Sequence, residues 1–254
     1  MMAKALRLRP QPEAEADVPP TAMVLAAGLG KRMRPLTATR PKPLVEVAGR
    51  ALLDHALDRL RAAGAEHAVI NVHYLADNLE AHVSRMPQDP LRVSFSDERA
   101  LLLETGGGLV HALPLIDADP FLVVNSDNLW VDGPVDTLRM LSSHWDEARM
   151  DALLLLVPLA RANNHHGRGD FHMDRDGLIS RRRPGRVAPF VYTGIQIVSK
   201  RLIVDAPPGP FSFNLFWDRA IAAGRCFGAA HQGLWFDVGT PPAVGATEAV
   251  LLGS

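Results

Sequence analysis

From Thr21 onward the chain alternates short apolar runs with stretches of helical spacing. Ala22-Met23-Val24-Leu25-Ala26-Ala27 is a compact apolar run ending at Gly28, the pattern of a buried strand that feeds a loop. Between Ala51 and Ala63, Leu52, Leu53, Ala56, Leu57 and Leu60 share one helical face. Asp54, Asp58, Arg59 and Arg61 fall mostly opposite and Gly64 is a suitable stop, so a helix is predicted there. His67 to Val72, Leu91 to Phe95 and Phe121 to Asn125 read as further strands, with helical spacing between them, as in Leu75 to Val83. After about Asp151 the rhythm becomes strand-rich: Ala152 to Val157, Gly169 to Met173, an Asp176-Gly177 turn, Leu178 to Ser180, and Val191 to Val198. Residues 213 to 223 read as a helix, Phe227 to Ala230 as a strand, and Trp235-Phe236-Asp237-Val238-Gly239-Thr240 as a strand running into a loop.

This alternation predicts an α/β fold: a Rossmann-like, doubly wound sheet, largely parallel with some mixed pairing, joined by a smaller β-rich portion that covers the site. Ligands of such sheets sit at the carboxyl ends of strands, which makes the loops after Ala27 and Asn125 candidate sites. Residues 1 to 20 mix Arg7 and Arg9 with four prolines and several acids and read as a disordered leader, leaving 21 to 254 as one domain. The 27 basic residues against 28 acidic ones supply no bulk field for nucleic acid or an acidic membrane. No apolar run approaches the roughly 20 residues of a membrane-spanning helix. The single cysteine, Cys226, allows neither an internal disulfide nor a multi-thiolate zinc site, and this suits a reducing, cytoplasmic setting.

Candidate chemistry begins at Leu25-Ala26-Ala27-Gly28-Leu29-Gly30-Lys31-Arg32-Met33-Arg34-Pro35, a strand entering a glycine-rich basic loop. Such loops bring backbone N–H groups close to phosphates. A dinucleotide fingerprint would require Gly where Met33 stands, and an ATPase loop would require Ser or Thr where Arg32 stands. Two readings remain: a phosphate cradle with Lys31, Arg32 and Arg34 at hand, or a surface turn with solvated cations. Lys42 lies between Pro41 and Pro43, which bias the preceding residues to extended backbone and stiffen the segment. It can serve as a point charge on a phosphate or belong to an inert loop. The adjacent His165 and His166 do not make a zinc site without other ligands. Trp217, Phe213 and Cys226 read as core.

Taken together, Met23 to Gly64, the Pro-Lys-Pro-Leu-Val run, Leu103-Glu104-Thr105-Gly106-Gly107-Gly108 and His165 to Phe171 resemble the sugar-1-phosphate nucleotidyltransferases, most closely the N-acetylmuramate-1-phosphate uridylyltransferases. The resemblance covers about residues 21 to 245. It implies transfer of UMP from UTP to a sugar-1-phosphate with release of pyrophosphate, in cell-wall sugar recycling. Mannose- or heptose-1-phosphate guanylyl transfer, or a non-catalytic nucleotide-sugar-binding subunit, are its alternatives. By position, Arg32 would contact the triphosphate and stabilise the transition state, and Lys42 would hold the sugar phosphate. Leu25, Ala27, Gly28, Gly30 and Lys31 would line the nucleotide loop. Glu98, Gly106 and Gly107 would belong to a loop that reads the base, while Gly169, Asp170, Thr193 and Gly194 would meet the sugar. Asp127, which follows an apolar run, and Asp237 would hold Mg²⁺. Ser126 stands where relatives commonly have Gly, and Ser180-Arg181-Arg182-Arg183-Pro184 stands where many have Glu-Lys-Pro. One of Arg181, Arg182 or Arg183 is therefore a candidate partner for a sugar carboxylate, the alternative being a solvated charge run. The implied partners are small molecules, with no nucleic acid and no membrane, and the expected state is a monomer or homodimer.

Overall fold

The computed structural model describes residues 16–87 and 89–253. In chain order its elements are β1 (Thr21–Leu25), β2 (Glu46–Val47), β3 (Arg50–Ala51), α1 (Leu52–Ala63), β4 (His67–Val72), α2 (Ala76–Val83), β5 (Arg92–Asp97), α3 (Glu104–Ala112), β6 (Phe121–Asn125) and β7 (Asn128–Val131). There follow α4 (Thr137–Ser143), β8 (Ala152–Pro158), β9 (Ala162–Asn163), β10 (Phe171–Met173), β11 (Ile179–Arg181), β12 (Phe190–Val198), α5 (Asn214–Ala222), β13 (Cys226–Ala230), β14 (Leu234–Asp237) and α6 (Pro241–Leu252).

Strands β5, β4, β1 and β6 lie side by side and parallel. Their side chains alternate between two cores, as strand geometry requires. Val24 and Ile70 pack with Leu53, Leu57 and Leu60 of α1, while Met23 and Val69 pack with Leu109 of α3 and Phe216 of α5. Each fully buried Leu of that α1 stripe contributes roughly 1.5–3 kcal/mol. Helix α1 stops where Gly64 turns left-handed at φ 98°. The α/β class is as expected, but the sheet is more mixed than its parallel half suggests. Strand β12 runs antiparallel to β6 and, along its other edge, to β8, while β10 and β11 extend the end of β12 near Phe190. One hydrogen-bonded sheet therefore spans both the parallel half and the β-rich portion.

Three local expectations need correction. The leader expected over residues 1–20 falls mostly outside the described residues, yet Val18 is buried and the Pro20 carbonyl accepts from the N–H groups of Glu66 and His67. Lys42 is not extended but opens a short 3₁₀ turn flanked by extended Pro41 and Val45, the Val45 N–H closing back on the Lys42 carbonyl. Gly106 to Gly108 lie within α3, where they permit close packing that side chains would block.

A small second sheet, β7–β14–β9, is joined to the main one by the two-residue link Ser126-Asp127 between β6 and β7. The chain leaves β1 toward β4 on one side and returns through β6 on the other. The carboxyl ends of β1 and β6 thus flank a topological switch point.

Candidate active site

A cavity of about 400 Å³ opens at that switch point. It is lined by Leu25 to Gly28, by Lys42, Pro43, Asn125, Ser126 and Asp127, and by Asn71, Leu102, Glu104, Thr105 and Ser212. Past Gly28, Gly30 turns left-handed at φ 60° and starts a 3₁₀ turn, Lys31–Met33. Met33 is fully buried beside Leu52, Phe236 and Val238, so it anchors the loop while Lys31 and Arg32 remain exposed. This explains the failure of the dinucleotide pattern: the position where a third Gly would stand is a hydrophobic anchor.

Lys42 is largely buried and its Nζ donates to Asp127 Oδ2 at 2.7 Å. The ammonium keeps two further N–H donors. Ser126, in place of the usual glycine, donates its hydroxyl to the Leu25 carbonyl at 2.8 Å and ties the ends of β6 and β1 together. Asp237 ends β14 with its Cα opposite Asn128, the residue after Asp127. The short β7–β14 ladder thus brings together two aspartates remote in sequence. Arg32 and Asp237 both flank Gly239, where an added methyl would lie 3.5 Å from Arg32 Nη1 and 2.8 Å from Asp237 Oδ1. His165 Nδ1 lies 3.9 Å from Asp237 Oδ2. Among the described residues no group of three or more His, Cys, Asp or Glu forms a metal cluster. Two carboxylates brought together by the β7–β14 ladder are a donor set that fits Mg²⁺, which takes few protein ligands and completes its shell with other oxygens and water.

Leu25, Ala27, Gly28, Lys42 and Asp127 therefore line one cavity, and Arg32 and Asp237 border the neighbouring recess. Other expected contacts face inward. Glu98 is 2% exposed: Oε1 accepts from Asn71 Nδ2 at 2.7 Å and Oε2 from the Leu103 N–H at 3.0 Å. Gly106 and Gly107 direct their N–H groups to the Phe211 carbonyl, so neither is available to read a base. Thr193 is fully buried and donates its hydroxyl to the Leu155 carbonyl, and Asp170 Oδ2 accepts from the Tyr192 N–H. Gly169, at φ 73°, packs against the carbonyls of Ala188 and Phe190. Gly194 abuts Asn125 and Asn128. Glu98, Gly106, Gly107, Gly169, Asp170 and Thr193 are thus engaged with neighbouring groups of the protein.

Arg181 is engaged by Asp218 at 2.8 Å and stacks over Phe171 and Trp217, and Arg182 Nε donates to the Gly169 carbonyl. Of the three arginines that are candidates for a sugar carboxylate, Arg183 alone is exposed, while the half-buried Arg181 and Arg182 brace the β-rich portion. Burial pushes the Cys226 thiol up to about 12, in keeping with a core role.

Sequence reasoning passed over Asn71. Its Oδ1 accepts from the Ala26 N–H at 2.7 Å while its Nδ2 donates to Glu98, linking the loop after β1 to the 98–103 segment. The available signal was a polar residue inside the apolar run His67 to Val72. Asn71→Leu should strand the buried Glu98 carboxylate and the Ala26 N–H, lowering unfolding free energy by about 2–4 kcal/mol in urea titration. A loss under about 0.5 kcal/mol would remove this link from the account of the site.

Residues 21–181 match the Nucleotidyl transferase family. The chain belongs to that family. Among relatives in this nucleotidyl transferase family, the N-acetylmuramate alpha-1-phosphate uridylyltransferase of Caulobacter vibrioides is 47% identical, over 93% of this chain and 98% of its own. The protein of the same name from Neisseria meningitidis is 36% identical, over 86% of this chain and 93% of its own. The solved structure of HddC from Yersinia pseudotuberculosis complexed with GMP-PN matches with a TM-score of 0.73 at 24% identity, covering 91% of this chain and 99% of that one, and supports the nucleotidyl transferase fold. Among the described residues no helix is long and apolar enough to cross a membrane.

Proposed function

We propose that the protein transfers UMP from UTP to N-acetylmuramate-1-phosphate, giving UDP-N-acetylmuramate and pyrophosphate in cell-wall sugar recycling in the cytoplasm. The Lys42–Asp127 pair at the switch-point cavity, with Arg32 and Asp237 adjoining, carries the reading of phosphoryl chemistry. The relatives named above support the choice of base and sugar.

The second pKa of a phosphate monoester is about 6, so the attacking oxygen is already ionised at neutral pH and no catalytic base is required. The task of the protein is positioning and charge compensation. The two remaining Lys42 donors orient the sugar phosphate for in-line attack on the α-phosphorus, held in register by the Asp127 contact. The Arg32 guanidinium, on a turn anchored by Met33, binds the departing pyrophosphate, whose charge rises as the bond breaks. Asp127 and Asp237 would hold Mg²⁺, which when bound supplies Lewis-acid stabilisation of the phosphate oxygens. A regulatory subunit without turnover would have no need for this cation and carboxylate set.

The test is pyrophosphate release from UTP, GTP, CTP, dTTP and ATP paired with N-acetylmuramate-, N-acetylglucosamine-, mannose-, glucose- and heptose-1-phosphates. Preferred turnover of UTP with N-acetylmuramate-1-phosphate is expected. Preference for GTP with mannose- or heptose-1-phosphate would replace this reading.

A further inference from the structure

We propose that His165 is a positioning residue for Asp237: its Nδ1–H engages one oxygen of the Asp237 carboxylate and leaves the other for the cation. The inference deepens the reading of Asp127 and Asp237 as the Mg²⁺ pair and rests on it.

The two aspartates are not held alike. Asp127 is fixed by the Lys42 ammonium at 2.7 Å. Among the described residues, the one basic side chain within 4 Å of the Asp237 carboxylate is His165, whose Nδ1 lies 3.9 Å from Oδ2. A carboxylate free to rotate is a poor metal ligand, so the groups that orient such ligands count nearly as much as the ligands themselves.

The loop that carries His165 is pinned on both sides. Asn163 Nδ2 donates to the Trp235 carbonyl at 2.9 Å, which ties the loop to β14, the strand that ends in Asp237. Asn164 turns left-handed at φ 62°, and its Nδ2 donates to Thr247 Oγ1 of α6 at 3.0 Å. The His165 side chain is only 17% exposed and lies tilted against Trp235, with ring centroids 6.5 Å apart. Gly167 confines its far edge, where an added methyl would overlap Nε2.

These surroundings assign the proton. Nε2 is buried and meets no hydrogen-bonding group among the described residues. A proton there would be an orphaned donor, and a lone pair on Nδ1 would face the carboxylate lone pairs. In the neutral ring the proton therefore sits on Nδ1, toward Asp237. The present separation is longer than a hydrogen bond, and catalytic contacts of this kind tighten when the substrate complex forms. Packing alone would not select histidine, because Leu would fill the space against Trp235 without burying an unpaired nitrogen.

The test is calorimetric binding of UTP, once with Mg²⁺ and once with EDTA, in the absence of sugar phosphate. The proteins compared are the wild type, Asp237→Asn, His165→Leu, His165→Asn and Gly167→Ala. Mg²⁺ should strengthen UTP binding to the wild type, and Asp237→Asn should lose most of that gain. His165→Leu should lose about tenfold of it, the scale on which removal of an orienting partner weakens a metal site. The same variant should melt at or above the wild-type temperature, since the unpaired nitrogen is gone; a merely structural histidine would lower melting and leave the gain intact. His165→Asn, whose amide nitrogen takes the place of Nδ1, should restore most of the gain. Gly167→Ala should displace the ring and reproduce the loss with His165 still present. A wild-type gain in His165→Leu, or its absence in a normally folded His165→Asn, would overturn the proposal while leaving the metal pair in place. A wild type whose UTP affinity does not respond to Mg²⁺ would refute the metal pair and the proposal together.

Discussion

Asp127→Asn is expected to lower pyrophosphate release at least about a hundredfold while the fold stays intact. The substitution keeps the size of the side chain and removes its charge. Lys42 then loses the anion that holds its Nζ at 2.7 Å, and a carboxylate oxygen suited to Mg²⁺ is lost next to the reacting phosphate. Because the Asp127 side chain is one-third exposed, the loss of this pair should cost stability no more than about 1 kcal/mol. Steady-state release assays over a Mg²⁺ titration, paired with thermal melts, separate the two effects. Retention of more than a tenth of wild-type turnover would place the reacting phosphates elsewhere.

A large loss of stability is expected from Gly194→Ala. Gly194 sits at φ 84°, and an added methyl would overlap Asn128 Nδ2 and lie 3.0 Å from Asn125 Cβ. Asn128 cannot yield freely, because its Nδ2 donates at 2.7 Å to the Thr193 carbonyl, which also accepts from Trp235 Nε1 at 2.9 Å. Left-handed strain and overpacking together should cost about 2–4 kcal/mol and lower the melting temperature by roughly 5–15 °C. Turnover should fall as well, since Asn128 lies between Asp127 and the cross-strand position of Asp237. Gly245→Ala, in the open middle of α6, serves as the control and should be neutral or slightly stabilising. Equal melting of the two variants would show that the β7–β12 junction adjusts more easily than the packing implies.

Much of the α/β half was legible from local pattern. The stripe from Leu52 to Leu60, the stop at Gly64 and the apolar runs at Met23, Ile70 and Val123 each report burial through a periodicity of their own. The glycines at 106 to 108 were misleading for a physical reason: three adjacent glycines favour a loop locally, but residues 209–211 at Gly106 and Gly107, and the Glu98 and Asn71 side chains at Gly108, approach α3 too closely for side chains. The antiparallel insertion of β12 between β6 and β8 was equally beyond reach, because strand pairing depends on partners and not on the strand itself.

The same division runs through the site. The sequence by itself determined the chemical inventory: a basic loop after a buried strand, a lysine between prolines, an aspartate after an apolar run, and motifs that resemble one family of transferases. Tertiary structure decided which of those groups meet. The β7–β14 ladder sets Asp237 beside Asp127, burial commits Glu98 and Thr193 to the framework, and the Asp218 ion pair commits Arg181. The asparagines at 163 and 164 set His165 within 3.9 Å of Asp237. The physical reason is that a residue's type sets what it can bond, whereas only the folded chain sets which donors and acceptors within reach are already taken.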